Sequence, residues 1–293
     1  MKLATIIRDG FVPVVITEDG RHAVPVNDVL GTSYGSLMDF IRNCCARKLG
    51  ALKTAAAKNE GILLSEVKLT SPVQRPLHDI ICVGINYAAH MEEHRNHFVS
   101  GEFTPPPKAV YFGKRAIRIT GPEEEIDGHL DMDERLDYEV ELAVVIGDTI
   151  DASTKYEEIG NKIFGYSVFN DVSARAVQKQ HDQWYYGKSM DTFCVMGPWI
   201  VTSDEIAINE PLKVQSRING EIRQNSTTGL MIRNVSDLIY DLTRGITLEA
   251  GDILATGTPS GVGQGFTPPR FMKTGDVVEA EVEKIGILRN KIR

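Results

Sequence analysis

Two glutamates separated by a single residue, Glu139 and Glu141, are the first side chains whose types and spacing suggest chemistry. They lie in the sequence YEVEL. Alternate residues of a β-strand point to opposite faces, so both carboxylates face the same side. Like charges on one face repel each other unless water or a cation separates them. A solvated strand face explains the pair, but the apolar Val145 and Ile146 predict burial, and buried carboxylates need partners.

A third carboxylate, Asp171, ends the apolar segment FGYSVFND and precedes VSAR, where we predict that a helix begins. Asp171 could be the N-cap of that helix. Alternatively, it supplies a third oxygen to a cation held by Glu139 and Glu141. Mg²⁺ and Mn²⁺ favour such an all-oxygen, partly hydrated shell, which leaves positions open for a substrate.

A histidine and a glutamate, His90 and Glu93, stand three residues apart in GINYAAHMEE. If this segment is helical, the two side chains lie on one face, and the carboxylate can orient the imidazole as a general base. An exposed polar helix is the simpler alternative. The sequence His90-x-x-Glu93-His94 also matches the inverted zinc-protease motif, but the segment is short, polar and ended by Pro105, so we disfavour that hypothesis.

The glycine-rich segment TGTPSGVGQG, residues 256–265, resembles a nucleotide-binding loop only superficially. A dinucleotide fingerprint must open a helix, whereas FTPP follows here. We predict a tight loop that presents backbone N–H groups and the Thr258 hydroxyl to an anion, with an ordinary turn as the alternative. Lys188, in YGKSMD, is a candidate cation for a substrate carboxylate, or else a surface residue.

The elements that must position these residues are mostly short strands separated by Gly, Pro and Asp turns, which favours a β-rich sandwich or roll with a few helices. We predict helices at 153–160, after Asp171 and near 235–244. The preceding part combines strands at 3–16 with a helical stretch at 36–58, and Pro72 and Pro76 mark the boundary.

The bulk composition disfavours several classes of function. The 293 residues carry a formal net charge of −8, which disfavours nucleic acid as a partner. None of the four cysteines forms a C-x-x-C pair, so thiolate zinc sites are disfavoured and reduced thiols in the cytoplasm are expected. The N-terminal segment does not resemble a signal peptide, and no apolar run reaches the ~18 residues that a membrane span needs.

Taken in order, the motifs G-x-N-Y-x-x-H-x-x-E, Y-E-x-E-L, F-N-D-V-S-A-R, G-K-S-x-D and T-G-T-P-x-G-V-G resemble the fumarylacetoacetate hydrolase superfamily. The similarity covers most of residues 75–293, and the motifs are specific in combination. The resemblance implies an α+β, mainly β fold: a mixed β-sandwich roll at 74–293 with a lid at about 87–107. It also implies a small N-terminal α+β domain at 1–73 and assembly as a homodimer.

The resemblance also implies roles for individual residues. It implies Mg²⁺ or Mn²⁺ at Glu139, Glu141 and Asp171. His90 and Glu93 match the catalytic dyad of the family, and Lys188 matches its active-site lysine. The positions that match substrate contacts are Arg175, Gln178 and Thr258.

The expected function is metal-dependent chemistry on a small oxo-acid through a metal-bound enolate. We expect hydrolysis of a C–C bond in an acylpyruvate, with water activated by His90. Decarboxylation of oxaloacetate, or isomerisation of 2-hydroxyhepta-2,4-diene-1,7-dioate, would use the same site and stays open. A non-catalytic metal-binding protein is the remaining alternative. The aromatic-rich stretch at 180–187 is expected to shape the substrate pocket.

Overall fold

The computed structural model describes residues 1–95 and 107–293 of the chain. Its strands, in chain order, are β1 (Lys2–Ile7), β2 (Phe11–Ile16), β3 (His22–Pro25), β4 (Ile62–Leu63), β5 (Lys68–Thr70), β6 (Ile80–Gly84), β7 (Val110–Lys114), β8 (Glu125–Ile126), β9 (Leu136–Asp137), β10 (Val140–Ile146), β11 (Ile163–Asp171), β12 (Ser173–Ala174), β13 (Cys194–Thr202), β14 (Lys213–Ile218), β15 (Glu221–Thr227), β16 (Ile253–Ala255), β17 (Val277–Val282) and β18 (Gly286–Ile292).

The α-helices are short. They are α1 (Val26–Leu30), α2 (Leu37–Arg42), α3 (Ala46–Ala56), α4 (Ala88–Arg95), α5 (Arg175–Gln180), α6 (Tyr185–Lys188) and α7 (Val235–Leu242), and 3₁₀ helices occur at Leu64–Glu66, Tyr156–Lys162, Thr228–Leu230 and Gly263–Gly265. No helix in residues 1–95 and 107–293 has the length and apolar character needed to cross a membrane.

A large, mostly antiparallel sheet forms the centre of the molecule, in the order β4-β3-β2-β1-β13-β11-β10-β16-β6-β7, with β5 also paired to β1. Its central strands β10 and β11 are buried along their whole length, because both faces of the sheet are covered. This explains why their sequences are nearly continuously apolar. Only the β16–β6 pairing is parallel in this sheet of the described chain.

A smaller sheet, in the order β15-β14-β17-β18-β8, packs on one face of the large sheet. Val140, Leu142 and Val144 of β10 point into the interface, where they share a core with Val278 and Leu288 of the smaller sheet. Full burial of each such aliphatic side chain stabilises the fold by about 1.5–3 kcal/mol. Two packed sheets with a few short helices confirm the predicted mainly β sandwich.

The opposite face of the large sheet is covered by the helices of the N-terminal part. Phe40 and Ile41 of α2 and Leu52 of α3 pack in one core with Ala143 and Val145 of β10. Strand β1 pairs with β13, so the large sheet runs from the N-terminal part into the rest of the chain. The boundary near residue 73 stays a prediction, since a shared sheet neither supports nor opposes it.

Three of the predicted helices differ in detail from the structure. The helical stretch at 36–58 is two helices, α2 and α3, because the chain leaves the helical conformation between Asn43 and Cys45. The helix at 153–160 is a 3₁₀ helix, Tyr156–Lys162. The helix after Asp171 begins only at Arg175, because the short strand β12 comes first. The helix near 235–244 is α7, capped by Asn234.

Candidate metal centre

Three carboxylates come together where β10 begins and β11 ends. Because these strands are antiparallel neighbours, Val140 lies opposite Asn170, and the Asp171 N–H donates to the Glu139 carbonyl oxygen at 2.9 Å. Glu139, Glu141 and Asp171 are buried, and each offers a carboxylate oxygen within 4.8 Å of the others. The predicted side-chain alternation is confirmed, and the alternative of a solvated strand face is wrong.

Asp171 does not cap the following helix. Ala174 occupies the N-cap position of α5, and the Asp171 carboxylate instead faces two lysines. The Lys114 ammonium lies 2.5 Å from its Oδ1, and the Lys188 ammonium lies 2.8 Å from its Oδ2. The capping alternative is therefore wrong, and the acid belongs to the cluster.

Lys188 is buried and bridges two acids of the cluster. Its ammonium donates at 2.8 Å to Glu139 Oε2 and at 2.8 Å to Asp171 Oδ2. The surface alternative for Lys188 is wrong. Burial alone lowers the pKa of Lys188, but the negative charges of Asp171 and Glu139 outweigh burial, and the net pKa is raised. Lys188 therefore adds a positive charge to the acidic cluster in this structure.

The two glutamates experience opposite electrostatic environments. For Glu139, burial raises the pKa, but the positive charges of Lys188 and Arg175 outweigh burial and hold the net pKa below its usual range. For Glu141, burial raises the pKa well above its usual range, and the negative charges of Asp171 and Glu139 raise it further. In residues 1–95 and 107–293, the hydrogen bond shown to the Glu141 carboxylate comes from a backbone donor, the Gly257 N–H at 2.8 Å.

The donor set fits a hard divalent cation. All the ligating atoms are carboxylate oxygens, which Mg²⁺ and Mn²⁺ prefer. Glu141 has no ion pair with any cation in residues 1–95 and 107–293, so a positive charge beside it would relieve the unfavourable burial of its charged form. Glu139, Glu141 and Asp171 could therefore hold a divalent metal together.

Arg175 ties the cluster to a neighbouring acid, Asp137, that the sequence analysis did not identify. The guanidinium donates from Nε to Asp137 Oδ2 at 2.9 Å, and its second terminal nitrogen lies 2.6 Å from Glu139 Oε1. It also reaches Gln178 Oε1 at 3.3 Å. Arg175 is thus held in place by acids on both sides, and its pKa is raised by Glu139 and Asp137 despite burial.

The predicted dyad forms on α4, one helical turn apart. His90 Nδ1 lies 3.2 Å from Glu93 Oε2, and His90 is buried. The other oxygen of Glu93 accepts a hydrogen bond from the Gly261 N–H at 2.7 Å. The spacing-based prediction of a contact between His90 and Glu93 is confirmed, and the alternative of an exposed polar helix is wrong for His90.

The glycine loop, residues 257–265, donates its backbone N–H groups to acids of the protein itself. Gly257 holds Glu141, Gly261 holds Glu93, and Gly263 holds Asp137. The Thr258 hydroxyl donates to the Val140 carbonyl oxygen at 3.0 Å and accepts from Gln224. The predicted tight, N–H-donating loop is therefore present, and the anions it binds in this structure are internal carboxylates.

A cavity of about 530 Å³ opens beside the carboxylates. Six residues with predicted site roles line it: His90, Glu139, Arg175, Gln178, Lys188 and Thr258. Its wall also contains two exposed cations, Arg135 and Lys179, and a set of apolar and aromatic side chains, Val83, Phe112, Trp184, Pro269 and Phe271. The cavity therefore combines a cationic wall with an apolar one, next to the acidic cluster.

Trp184 is the member of the aromatic-rich stretch that shapes this cavity. Its ring meets Phe112 edge-on at 5.2 Å between centroids, and it packs so closely on Gly84 that a Cβ there would overlap the indole. The next residues, Tyr185 and Tyr186, are 42% and 45% exposed. The expectation of a pocket-shaping stretch is thus confirmed for Trp184.

Some predictions lie outside the described residues. The greater part of the lid expected at 87–107 falls at 96–106, and the His94 side chain needed for the zinc-protease motif is also outside. Within the described residues, the candidate metal-binding group is the carboxylate cluster.

Comparison with known proteins finds one matching family and several similar proteins. Residues 79–293 match the family described as fumarylacetoacetate (FAA) hydrolase C-terminal. The chain is 45% identical over 229 residues to oxaloacetate tautomerase YisK of Bacillus subtilis (strain 168), a match that spans 78% of this chain and 74% of that protein.

Solved structures are similar over the whole chain. A fumarylacetoacetate hydrolase from Exiguobacterium antarcticum has a TM-score of 0.81 at 36% identity, covering 100% of this chain and 99% of that one. Maleylpyruvate hydrolase from Sphingobium sp. SYK-6, in complex with manganese(II) and pyruvate, has a TM-score of 0.80 at 26% identity, covering 100% and 98%.

Proposed function

The chain belongs to the fumarylacetoacetate hydrolase family, and on that premise we propose that it interconverts the enol and keto forms of oxaloacetate or a similar small 2-oxo diacid. The 45% identity to an oxaloacetate tautomerase supports this activity over the expected hydrolysis of an acylpyruvate. The family assignment alone does not separate the two activities, because this chain is similar both to a hydrolase and to a tautomerase.

The observation that carries the proposal is the position of His90 in the wall of the cavity that Glu139 and Lys188 also line. Because Glu93 faces Nδ1 of His90, the ring can exchange a proton through Nε2. Enol-to-keto conversion removes the proton of the enol oxygen and adds one to the carbon next to the oxygen-bearing carbon, while the C=C bond becomes a C=O bond, so no atom is gained or lost. One properly placed base suffices for this exchange.

Glu139, Glu141 and Asp171 would hold Mg²⁺ or Mn²⁺. Such a cation supplies Lewis acidity for the oxo-acid when bound. Lys188 and Arg175 contribute fixed positive charge where negative charge develops on the oxygen of the substrate, and burial strengthens that interaction. Both cations are already held by acids, so they need little reorganisation during the reaction.

The cationic wall favours a substrate with two carboxylates. Arg135 and Lys179 line the cavity beyond Arg175, and neither forms an ion pair with an acid in the described part of the chain. Lys179 lies one turn after Arg175 on α5. The backbone N–H of Arg175 donates to the backbone carbonyl oxygen of Arg135 at 3.1 Å, so the three cationic residues are neighbours. A carboxylate remote from the reacting carbons would meet Arg135 and Lys179.

Hydrolysis of a C–C bond is the second candidate, favoured by the likeness to maleylpyruvate hydrolase. The same His90–Glu93 pair could deprotonate a water molecule instead of a carbon. Decarboxylation of oxaloacetate and isomerisation of an unsaturated oxo-diacid would also use these residues. The assay must therefore separate the four reactions by their products.

We propose to follow the ultraviolet absorbance of enol-oxaloacetate with protein that has been stripped by EDTA and then reloaded with Mn²⁺ or Mg²⁺. Free cation without protein, and the loaded His90→Ala variant, are the controls for uncatalysed conversion. Pyruvate release in the same samples measures decarboxylation, acylpyruvates measure hydrolysis, and 2-hydroxyhepta-2,4-diene-1,7-dioate measures isomerisation. Faster cleavage of an acylpyruvate than enol–keto conversion would overturn the proposal in favour of the hydrolase.

We also propose that the protein is a homodimer, as its family resemblance implies. Light scattering coupled to size-exclusion chromatography tests this directly. A mass of 32.4 kDa in solution would correspond to the single chain and contradict the dimer.

A further inference from the structure

Asp137 is a fully buried acid that none of the assigned site roles includes. Among the described residues, its two oxygens accept hydrogen bonds from the backbone N–H groups of Tyr138, Gly263 and Gln264 and from Arg175 Nε, at 2.6–3.0 Å. A buried carboxylate is stable only with such partners. These partners belong to two separate parts of the site. Arg175 lies beside the carboxylate cluster, and Gly263 and Gln264 belong to the glycine loop.

On one side, Asp137 holds Arg175, and Arg175 in turn lies 2.6 Å from Glu139. A charged guanidinium between two carboxylates fixes the orientation of both. The position of the candidate metal ligand Glu139 therefore depends on Asp137 through one intervening side chain.

On the other side, Asp137 holds the C-terminal end of the glycine loop. The Gly263 and Gln264 N–H groups donate to Asp137, while the Gly261 N–H, two residues earlier, donates to Glu93. The loop also packs directly on Glu93, because a Cβ at Gly265 would lie 2.5 Å from Glu93 Oε1. The position of the Glu93 carboxylate, which orients His90, thus depends on the loop segment at 261–264, and Asp137 holds that segment.

We propose that Asp137 is a positioning residue that couples the His90–Glu93 dyad to Glu139, by holding the glycine loop and Arg175 at the same time. Asp137 lies outside the set of residues lining the cavity, so it acts through its partners and does not contact the substrate. Residues that orient ligands or catalytic groups in this way typically change activity by about 10- to 100-fold when replaced.

The test is a double-mutant cycle with Asp137→Asn and Glu93→Gln. Asparagine keeps the shape of the side chain but loses the charge that holds Arg175. We expect Asp137→Asn to lower kcat by about 10- to 100-fold with little change in KM. Because Asp137 acts on the dyad through the loop, adding Asp137→Asn to Glu93→Gln is expected to cost much less than it does in the wild type. Additive effects would overturn the proposal.

A readout independent of turnover is hydrogen exchange in protein without added cation. We expect Asp137→Asn to lose protection at the backbone amides of residues 261–264, and to weaken Mn²⁺ binding measured by calorimetry. Unchanged protection and unchanged Mn²⁺ affinity would contradict the coupling. If Asp137→Asn does not fold, the variant Gln264→Pro replaces it in the same measurements, because proline lacks the backbone N–H that donates to Asp137.

The double-mutant cycle in kcat rests on the proposed function, whereas the hydrogen-exchange and calorimetry measurements do not. A wild-type protein without enol–keto activity would refute the proposed function alone. Normal wild-type activity combined with an unperturbed Asp137→Asn variant would refute the positioning role alone. The matched control is Asp131→Asn, an exposed acid that should leave turnover, exchange and Mn²⁺ binding as in the wild type.

Discussion

The Lys188 ammonium lies 2.8 Å from Asp171 Oδ2, inside a cluster where three carboxylates gather. The same ammonium contacts Glu139 at 2.8 Å, so a single lysine neutralises part of the charge on two candidate metal ligands. A dication bound by these acids would lie close to this ammonium, and the two positive charges would compete for the same oxygens. Lys188 therefore affects cation binding and catalysis in opposite directions.

Lys188→Met separates these two effects. We expect turnover to fall by about 100-fold or more, because a buried positive charge is lost where negative charge develops on the substrate. The Kd for Mn²⁺ is expected to decrease, because the competing ammonium is gone. Enzyme kinetics and calorimetric titration measure the two quantities. A tenfold weaker Mn²⁺ affinity would show instead that Lys188 holds the carboxylates in their binding arrangement. Lys53→Met, at an exposed ion pair with Asp204, is the control.

Local sequence spacing was enough to predict the contacts that form within one element. The alternation around Glu139 and Glu141 follows from the geometry of one strand, and the His90–Glu93 contact follows from one helical turn. The same local rules failed at Asn43, where no glycine or proline marks the break between α2 and α3.

Contacts between distant elements could not be predicted from spacing. Lys114 is fully buried and reaches Asp171 across 57 residues, and Asp137 meets Gly263 across 126 residues. Nothing in the neighbourhood of Lys114 distinguishes it from a solvated lysine at a strand end. Arg135 and Lys179 were missed for a similar reason, since only the folded chain brings them to one cavity wall. The signal that the sequence offered for Asp137 was its position directly before the YEVEL segment.

Glu141→Gln is expected to abolish cation-dependent turnover without loss of the fold. The amide keeps an oxygen that can accept from the Gly257 N–H, and it removes the charge that burial and the neighbouring acids disfavour. The Tm of the protein without added cation should therefore equal or exceed that of the wild type.

The response of Glu141→Gln to cation provides the decisive comparison. Mn²⁺ at about 100 times its Kd should stabilise the wild type by about 2.7 kcal/mol, and most of that stabilisation should disappear in the variant. Thermal unfolding with Mn²⁺ and with EDTA measures both states. An undiminished Mn²⁺ response in Glu141→Gln would remove Glu141 from the ligand set. Glu157→Gln, at an exposed glutamate, should behave as the wild type.

The double variant Arg135→Ala/Lys179→Ala tests the preference for a diacid. Exposed ion pairs contribute about 0.2–1 kcal/mol each, so KM for oxaloacetate should rise by between about twofold and about 30-fold while kcat changes little. The inhibition constant of pyruvate, which has no second carboxylate, should not change. Equal weakening of pyruvate and oxaloacetate would mean that these cations act on the whole site. Arg47→Ala/Lys58→Ala, at exposed positions on and after α3, controls for the loss of two positive charges.

Gly265→Ala is expected to disturb the dyad while leaving the metal ligands intact. Gly265 does not have a positive φ, so its backbone accepts alanine, but the new Cβ would lie 2.5 Å from Glu93 Oε1. The contact is with the end of a flexible side chain, so Glu93 should move away from His90 and the fold should persist. We expect kcat to fall by about 10- to 100-fold.

The Mn²⁺ affinity of Gly265→Ala, measured by calorimetry, should equal that of the wild type, because the three atoms nearest to a Cβ at Gly265 all belong to Glu93, which is not part of the carboxylate cluster. Gly245→Ala is the matched control, since a Cβ at Gly245 meets no atom within 4 Å. A Gly265→Ala enzyme with wild-type kcat would show that the contact between Glu93 and His90 does not limit the reaction. Equal losses of kcat and Mn²⁺ affinity would show that the glycine loop supports the carboxylate cluster as a whole, because Gly257 of that loop holds Glu141.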